Sequence, residues 1–302
     1  MRPLRISAIS YLNTAPLMWD FEQGQAPVLG KNYNGPTAPG GQPDFEFAYT
    51  VPSQCAEELR QGTADIGIIP SVTYATIPNL VIIPNAAIAA RDAVRSIVLA
   101  CKKPLENVGS IALDTSSRTS VALTRILCER FVGGPTRSYV DMPPDLDAML
   151  SSCDAALLIG DPALQCAVRA DAGDLEHLHI YDLGREWRRF TGLPFVFAFW
   201  AVRLAALGEM RRDLDLQEIF SSSRDHGTNP SNIASIARNW SVKLGISDSE
   251  IERYLTENIH YVLDEGNLAG LELFYRYASE CGLIDEPPIL RFVGTSALKL
   301  CS

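Results

Sequence analysis

The sequence predicts an α/β protein with two lobes, a ligand cleft between them and a helical C-terminal region. Three observations lead to this fold class. Residues 6–24 (ISAISYLNTAPLMWDFEQG) read as a buried strand, a polar turn and a helix start, the unit from which α/β proteins are built. A helix–strand pattern at 57–71 recurs faintly at 147–161. From about Leu207 onward the pattern is helical.

Composition narrows the class of protein. The chain has 302 residues, of which 47% are hydrophobic, and this is enough for two domains of ordinary size. Its net charge of −10 argues against a broad nucleic-acid surface, which needs clustered Lys and Arg. There is no apolar run of about twenty residues and no secretory signal pattern at the start, so we expect no membrane span and a cytoplasmic location. The 7 cysteines include no C-x-x-C pair and read as small buried residues, with a metal site as the weaker alternative.

The first half of the chain alternates strands and helices. Residues 25–43, rich in Gly, Pro and Asn, predict a long irregular loop. Residues 51–62 predict a helix that begins at Pro52 and Ser53 and ends at Gly62. Buried strands are predicted over four stretches: 45–48, 64–71, 94–101 and 108–114. The segment DTSSRTS (114–120) then opens a helix in which apolar residues recur at four-residue spacing: Leu123, Leu127 and Phe131.

The repeat concerns two similar helix–strand units. Asp65 and Asp154 each precede a buried apolar strand, while Ser71 and Gly160 stand at the far ends. A true repeat means two similar α/β lobes, and chance similarity is the alternative.

The chain crosses twice between these lobes. We predict crossovers at 95–101 and at 193–203, the second within the aromatic strand TGLPFVFAFWAVR. Residues 1–96 and 203–302 then form the first lobe, and residues 97–202 form the second. The ligand is expected in the hinged cleft between them. The C-terminal part of the first lobe should be four helices, bounded by Asn, Ser or Gly: 211–227, 229–245, 247–263 and 267–282.

The hydroxyl-rich turn after Asp114 is the strongest local candidate for a binding site. Strand, turn and helix N-terminus together present backbone N–H groups that favour an anion. The alternative is an ordinary helix cap by Ser116 or Ser117, but a cap needs only one such residue. The turn holds five hydroxyls, and we predict that it binds a carboxylate or phosphate: Thr115, Ser116, Ser117, Thr119 and Ser120.

Other polar residues follow apolar strands at the presumed edge of the cleft. They are Ser10, Tyr11, Asn13 and Thr14 in the first turn, and Ser71, Asn85 and Ser96 at later strand ends. Each alone is compatible with an ordinary polar loop, but together they line one side of the cleft if the strands are parallel. The chain has no GxGxxG after a strand, GxxxxGK[ST], HExxH or GxSxG motif. The four histidines read as surface or structural residues, so no general base is evident.

Seven segments in chain order resemble the chorismate dehydratase family, which opens the futalosine route to menaquinone. They are RISAISYLNTAPL, LRQGTADIGIIPS, VRSIVLACKKPL, LDTSSRTSVALTRILC, AALLIGDPAL, YDLGREWRRFTGLPFVFAFWAVR and GLELFYRYASECGLI. The resemblance covers nearly the whole chain, and SYLNTAPL and DTSSRTSV are its most specific parts. It implies a type 2 periplasmic-binding-protein fold adapted as a cytoplasmic enzyme. The loop at 25–43 departs from the family's compact pattern.

The resemblance also implies a reaction and a site. Chorismate, the implied substrate, loses water to give 3-[(1-carboxyvinyl)oxy]benzoate. We expect no metal or cofactor, because the sequence contains no motif for either. The family likeness places Asn13 and Ser96 near the reacting ring as catalytic residues. It adds Asp161, Leu193 and Pro194, from the matching GDPAL and TGLPF segments, to the substrate-binding residues. The substrate's own enolpyruvyl carboxylate is then the base, while the protein supplies orientation and hydrogen bonds to the leaving group.

Two alternatives remain at this point. A solute-binding protein would share the fold and bind a small carboxylate without turnover, but a secretion signal is expected for that class. The related 1,4-dihydroxy-6-naphthoate synthase also shares the fold, but its opening resembles SPCPNDT and it uses a catalytic histidine. Here the corresponding opening is SYLNTAP.

Overall fold

Two β-sheets, one of six strands and one of five, form the centres of the two lobes. The computed structural model describes residues 2–23, 28–30, 44–210 and 214–294. Most of the loop predicted at 25–43 lies outside these residues, although Val28–Gly30 form a short strand at one edge of the larger sheet. The α/β fold class, with two lobes and a helical C-terminal region, is confirmed.

The N-terminal part of the chain builds most of the first lobe. The helix Pro52–Gln61 has proline in its first turn and ends before Gly62, whose φ of 74° favours glycine. The elements are β1 (Leu4–Ile9), a 3₁₀ segment (Leu12–Met18), α1 (Trp19–Gln23), β2 (Val28–Gly30), β3 (Phe45–Thr50), α2 (Pro52–Gln61), β4 (Ile66–Pro70), α3 (Ser71–Tyr74) and β5 (Leu80–Ala90).

The chain then builds the second lobe around the smaller sheet. Its elements are β6 (Ile97–Cys101), a 3₁₀ turn (Leu105–Asn107), β7 (Ser110–Asp114), α4 (Arg118–Ile126) with a π-helical extension (Leu127–Val132), β8 (Ser138–Met142), α5 (Leu146–Ser152), β9 (Ala155–Ile159), α6 (Gly160–Asp171), β10 (His179–Asp182) and α7 (Leu183–Thr191). Ser117 caps α4 by accepting a hydrogen bond from the Ser120 N–H, so the predicted helix start is confirmed.

A single strand returns the chain to the larger sheet, and helices follow. They are β11 (Phe195–Arg203), α8 (Leu204–Glu209), α9 (Leu216–Gly227), α10 (Pro230–Leu244), α11 (Asp248–Arg253) with a π-helical turn (Tyr254–Asn258), and α12 (Glu265–Glu280). Side chains just before each of the last four helices accept a hydrogen bond from the first turn: Asp215, Asn229, Ser247 and Asp264. The predicted helical character of the C-terminal region is thereby confirmed.

The two sheets repeat one arrangement. The larger has the order β2-β3-β1-β4-β11-β5 and the smaller β10-β6-β9-β7-β8. In both, three consecutive strands are parallel (β3-β1-β4 and β8-β7-β9), and the next strand is antiparallel to them (β11 or β6). The units in the sequence repeat, α2-β4 and α5-β9, occupy the same place in each sheet. The faint repeat therefore reflects structure and not chance.

The two aspartates of the repeat make equivalent hydrogen bonds in the two lobes. Asp65 accepts a hydrogen bond from the Arg5 N–H at the start of β1, and Asp154 accepts one from the Ser110 N–H at the start of β7. Asp65 is fully buried and also binds the Arg2 and Arg5 guanidinium groups. Although burial opposes it, these hydrogen bonds hold the pKa of Asp65 well below its ordinary value. Each aspartate thus ties the start of one central strand to its neighbour.

Sheet pairing differs from prediction at two places. We expected Asn85 at a strand end, but it lies inside β5 with a φ of 61°. The pairing of β5 with β11 shifts register across it, between Ile82 and Ala87, because a bulge is accommodated there and asparagine tolerates this backbone region. Phe195–Arg203, which the proposed boundary at residue 202 leaves almost wholly in the second lobe, pairs with β4 and β5 in the larger sheet.

The interlobe connections are accordingly short. One runs from the end of β5 at Ala90 to Ile97, and the other from Thr191 to Phe195. The division of the chain into two domains at the predicted limits stays a prediction, since only the sheet membership of the strands is fixed by these pairings.

The described cysteines are free thiols, five buried and Cys281 partly so, while Cys301 lies outside the described residues. Burial raises the pKa of several of these thiols, to about 12 for Cys55, so they are unreactive core residues. Within the described ranges, none of the helices combines the length and apolar character needed to cross a bilayer. Those ranges also bring together no three His, Cys, Asp or Glu side chains suited to a metal ion.

Candidate functional site

The turns that follow β1 and β7 face each other between the lobes. The Tyr11 hydroxyl donates a hydrogen bond to Ser116 Oγ at 3.3 Å, and the Ser53 N–H donates to the Ser116 carbonyl at 3.1 Å. The Tyr11 ring lies directly against the backbone of Gly160 at the start of α6. These contacts connect the turn after β1 and the start of α2 to the turn after β7 and the start of α6, and they close one side of the cleft.

Two further contacts cross the cleft beside them. The Leu12 N–H donates to Asp161 Oδ1 at 3.0 Å, and the Val72 N–H donates to Thr119 Oγ1 at 3.1 Å. Burial raises the pKa of Asp161 to about 6, while the Leu12 hydrogen bond opposes that rise. The lobes are therefore in direct polar contact, and the structure represents a closed arrangement.

The buried carboxylate of Asp114 holds the hydroxyl-rich turn in place by hydrogen bonds. Asp114 Oδ1 accepts hydrogen bonds from the Ser116 N–H at 2.8 Å and from Ser116 Oγ at 2.5 Å. Its Oδ2 accepts one from the Ile159 N–H at 3.2 Å. Burial raises the pKa of Asp114, and these hydrogen bonds partly compensate. The turn is thereby fixed to β9.

A small cavity of about 50 Å³ remains between the closed lobes. Ligand pockets usually measure about 300–1,000 Å³, so this cavity is too small for a drug-sized ligand in the arrangement that the structure shows. Both lobes contribute to its walls. The polar lining residues are Tyr11, Asn13, Thr14, Ser117 and Ser120, and the apolar ones include Ile9, Ile88, Ile97, Ile159 and Phe197.

Two helix N-termini of the second lobe reach this cavity. Ser117, the cap of α4, and Gly160, the first residue of α6, both line it. The first-turn N–H groups of a helix lack intrahelical partners and carry partial positive charge. Ser117 Oγ donates to Ser120 Oγ at 2.9 Å and accepts from the Ser120 N–H at 3.2 Å. This end of the cavity suits an anion.

The hydroxyls predicted at 115–120 divide into three groups. Ser117 and Ser120 line the cavity. Ser116 and Thr119 are engaged in the contacts across the cleft. Thr115 is exposed. The structure thus brings together two of the five hydroxyls at the cavity and uses two others to join the lobes.

The remaining predicted residues are spread over the site and its surroundings. Asn13 and Tyr11 line the cavity, whereas Ser10 is exposed. Neither Ser71 nor Asn85 is among the residues that line the cavity. The Ser71 hydroxyl donates to the Val196 carbonyl at 2.8 Å, and the Asn85 carbonyl accepts from Arg224. Leu193 and Pro194 belong to the return connection, where the Pro194 carbonyl accepts from Trp187 Nε1 at 3.1 Å.

Ser96 lies at the outward crossover, beside the cavity-lining Ile97. Its N–H donates to the Val94 carbonyl at 2.7 Å, and its carbonyl accepts from the Gly160 N–H at 2.8 Å. The side chain is fully buried, and Ser96 Oγ makes no hydrogen bond of regular geometry within the described residues. Burial raises the pKa of the Tyr254 phenol, and the side chains of Ser96 and Asn13 oppose that rise. Sequence reasoning missed Tyr254 because it lies in a segment that reads as a plain amphipathic helix.

Sequence reasoning also missed the apolar walls of the cavity. Ile9, Ile88, Ile97 and Phe197 sit in apolar strands whose pattern is that of any buried core, so no local signal marks them. No histidine is among the described residues that line the cavity. His226 instead binds Asp20, and His260 binds Asp264, as expected for structural residues.

Comparison with known proteins agrees with this architecture. Residues 4–280 match the model of a family described as menaquinone biosynthesis. A chorismate dehydratase of Thermus thermophilus is 29% identical over 241 residues, which cover 76% of this chain and 85% of that protein.

Solved structures resemble the chain in fold at lower identity. A protein of Archaeoglobus fulgidus has a TM-score of 0.65 at 20% identity, with 93% of this chain and 98% of that chain covered. The periplasmic aliphatic sulphonate binding protein SsuA of Escherichia coli has a TM-score of 0.60 at 15% identity, with 95% of each chain covered. The predicted periplasmic-binding-protein-like fold is confirmed. Because the family model spans all but the ends of the described sequence, this chain belongs to the menaquinone biosynthesis family.

Proposed function

We propose that the protein is a chorismate dehydratase that forms 3-[(1-carboxyvinyl)oxy]benzoate in a futalosine-type route to menaquinone. The observation that carries the proposal is the match to the Thermus thermophilus chorismate dehydratase over 76% of this chain. The cavity adds support, since it offers hydroxyl, amide and helix N-terminal groups to a small anion. As a biosynthetic enzyme it is expected to act in the cytoplasm.

The reaction is an elimination that makes the ring aromatic. The bond from C4 to its hydroxyl oxygen breaks, the C3–H bond breaks, and the two electrons of that C–H bond become part of the third ring double bond. Hydroxide and proton leave together as water, so no oxidant or reductant is consumed. The protein must therefore hold one conformer, assist the departing oxygen and provide or position a base.

The helix N-termini suit one carboxylate of the substrate. The first turn of α4 and the hydroxyls of Ser117 and Ser120 offer donors without a lysine or arginine among the described lining residues. A neutral hydrogen bond of this kind contributes about 0.5–1.5 kcal/mol. Recognition by several such donors fits a substrate that must also be released after each turnover.

Asn13 and Ser96 are proposed to act at the reacting ring. The Asn13 side chain lines the cavity and can donate a hydrogen bond to the departing C4 oxygen. Ser96 is fully buried next to Ile97, a residue of the cavity wall, and is not itself among the lining residues. With no histidine among the described lining residues, the substrate's enolpyruvyl carboxylate takes the C3 proton in this scheme. The apolar walls exclude water and limit competing reactions of chorismate.

The lobes are proposed to open for substrate entry and to close for reaction. The cavity of about 50 Å³ is too small for entry, and hydrogen bonds from Tyr11 and Leu12 cross the cleft. Closure then assembles groups from both lobes around the ring.

The test is to incubate the purified protein with chorismate and to look for a product lighter by one water. Asn13→Ala, purified identically, controls for contaminating enzymes, and exposed Asn107→Ala controls for the loss of an amide elsewhere. We expect the product from wild type and from Asn107→Ala, and activity that withstands a chelator. Binding of chorismate without any product would favour a solute-binding protein, the function to which SsuA-like structures point. Absence of both binding and product would refute both functions.

A further inference from the structure

The outward crossover makes a tight turn immediately before Ser96. Arg95 has a φ of 60°, in the left-handed region that residues other than glycine rarely adopt. The Ser96 N–H donates to the Val94 carbonyl at 2.7 Å, so one hydrogen bond closes the turn over Arg95. A three-residue turn of this kind, with its central residue at positive φ, is rare and strained. Such strain persists only where the surrounding structure holds it, and it clusters at functional sites.

The carboxylate of Asp182, the last residue of β10, holds this turn from the second lobe. Its Oδ1 accepts a hydrogen bond from the Val94 N–H at 3.0 Å, and its Oδ2 accepts one from the Arg95 N–H at 2.6 Å. The same Oδ1 accepts from the Arg185 N–H at 3.0 Å, so Asp182 also caps α7. Two consecutive N–H groups of the crossover are thereby tied to the start of a helix.

The side chain of Arg95 anchors the turn a second time. It is 16% exposed, and its Nη2 lies 2.8 Å from Asp171 Oδ2 on α6 and 3.3 Å from Glu250 Oε2 on α11. Helix α7 packs closely on the crossover as well, since a Cβ built at Gly184 would lie 2.6 Å from the Asp92 carbonyl oxygen. The strained residue is therefore held through its main chain and its side chain.

The turn leads directly into the wall of the cavity. The Ser96 carbonyl accepts a hydrogen bond from the Gly160 N–H at 2.8 Å, and both Gly160 and Ile97 line the cavity. Ser96 is fully buried, and its Oγ has no hydrogen-bond partner within the described ranges. The place of the Ser96 side chain is therefore set by the backbone of the turn, and not by contacts of its own hydroxyl.

We propose that Asp182 is a positioning residue for the dehydration, which acts by holding the strained turn at Arg95. Through this turn it fixes the main chain of Ser96, the residue that we place at the reacting ring, and the start of α6 at Gly160. Asp182 itself is not among the residues that line the cavity. Its kinetic effect rests on the proposed function, whereas its effect on the turn rests on the hydrogen bonds alone.

Asp145 provides a matched control in the second lobe. It is exposed, and it caps α5 by accepting a hydrogen bond from the Ala148 N–H at 3.0 Å. Asparagine caps a helix about as well as aspartate, so Asp182→Asn and Asp145→Asn both keep the cap and the size of the side chain. Only Asp182→Asn replaces an acceptor of the crossover N–H groups with an NH2 donor.

The kinetic experiment compares these two variants with wild type in the full-length protein. For Asp182→Asn we expect kcat with chorismate to fall about tenfold or more, because small misplacements of a group at the reacting atoms are costly. KM should change little, since the donors at the start of α4 are untouched. Asp145→Asn should keep kcat within about twofold of wild type, as most exposed substitutions do. Equal kcat values for the two variants would overturn the inference.

A second substitution tests the strain itself. Glycine adopts positive φ without steric cost, so Arg95→Gly added to Asp182→Asn should restore part of the lost kcat. The same recovery is expected in folding if Asp182→Asn alone is unstable. A double variant that is no better than Asp182→Asn would show that the carboxylate does not act by holding a strained turn.

Amide hydrogen exchange separates this inference from the proposed function. Exchange at Arg95, Ser96 and Gly160 should be faster in Asp182→Asn than in wild type and unchanged in Asp145→Asn, because the turn holds the hydrogen bonds of these three N–H groups. Equal exchange in all three proteins would refute the positioning role even if wild type dehydrates chorismate. If wild type fails to dehydrate chorismate, the proposed function falls, and the exchange rates still decide whether Asp182 holds the turn.

Discussion

Replacing Gly160 with alanine should hold the two lobes apart. Gly160 begins α6 with a φ of 62°, and a Cβ built there lies 2.7 Å from two ring atoms of Tyr11 and 2.9 Å from its Cγ. Cβ atoms in proteins do not approach other atoms so closely. Since Cγ is the root of the ring, moving only the far end of the side chain does not relieve the clash. The turn that carries Tyr11 must therefore move away from the second lobe.

The free-energy cost of Gly160→Ala has two separable parts. Alanine in the left-handed region destabilises the protein by about 1–2 kcal/mol, whether the lobes are open or closed. The clash acts on the closed form alone, where it breaks the hydrogen bond from Tyr11 to Ser116 and so removes about 0.5–1.5 kcal/mol. A ligand that binds the closed form should then bind about two- to twelvefold more weakly, because 1.4 kcal/mol corresponds to a factor of ten.

Gly192→Ala is the matched control for the cost of placing alanine in the left-handed backbone region. Gly192 has a φ of 73°, and a Cβ built there has no atom within 4 Å. Both variants should lose thermal stability, but only Gly160→Ala should change closure. Small-angle scattering with and without isophthalate, a rigid aromatic dicarboxylate, measures closure as a decrease in the radius of gyration, and calorimetry gives the dissociation constant.

We expect wild type and Gly192→Ala to contract when isophthalate binds, and Gly160→Ala to contract less and bind more weakly. If all three proteins give the same scattering profiles and affinities, the contact between Tyr11 and Gly160 does not control closure. The reasoning from the 2.7 Å approach would then be wrong.

Three further predictions concern single side chains of the site. Asn13→Ala should lower kcat with chorismate far more than it lowers the melting temperature, because this cavity-lining amide adds little to the core; unchanged kinetics would remove Asn13 from the mechanism. Ser117→Ala should raise KM and also destabilise α4 by about 1 kcal/mol through loss of its cap, whereas Ser247→Ala, a cap remote from the cavity, should affect stability alone. Asp161→Asn should stabilise the protein near pH 7 relative to wild type, with the difference vanishing below about pH 4. Since the folded pKa of Asp161 is raised to about 6, the folded state binds the extra proton, and wild-type stability falls as pH rises between the unfolded and folded pKa values. Denaturant unfolding across that pH range measures this, and parallel curves for the two proteins would contradict the burial of this carboxyl.

The sequence by itself determined the elements and the places where polar groups follow apolar strands. Alternation of strand and helix patterns, with Pro52 and Gly62 as helix limits and Ser117 as a cap, depends on neighbours in the chain and is therefore readable locally. The repeat of 57–71 at 147–161 was readable for the same reason, since each unit forms the same helix–strand pair. These local preferences predicted the fold class and directed attention to the turns after β1 and β7.

Only the tertiary structure decided which of the neighbouring hydroxyls reach the cavity. Ser116, Ser117 and Thr119 are almost adjacent in sequence, yet one binds Tyr11, one lines the cavity and one binds the Val72 N–H. Their assignment depends on how α4 is rotated against the opposite lobe, which is set by contacts between residues far apart in the chain. The same holds for Asp161, which accepts a hydrogen bond from the Leu12 N–H only because the two lobes pack against each other, a long-range contact that no local pattern encodes.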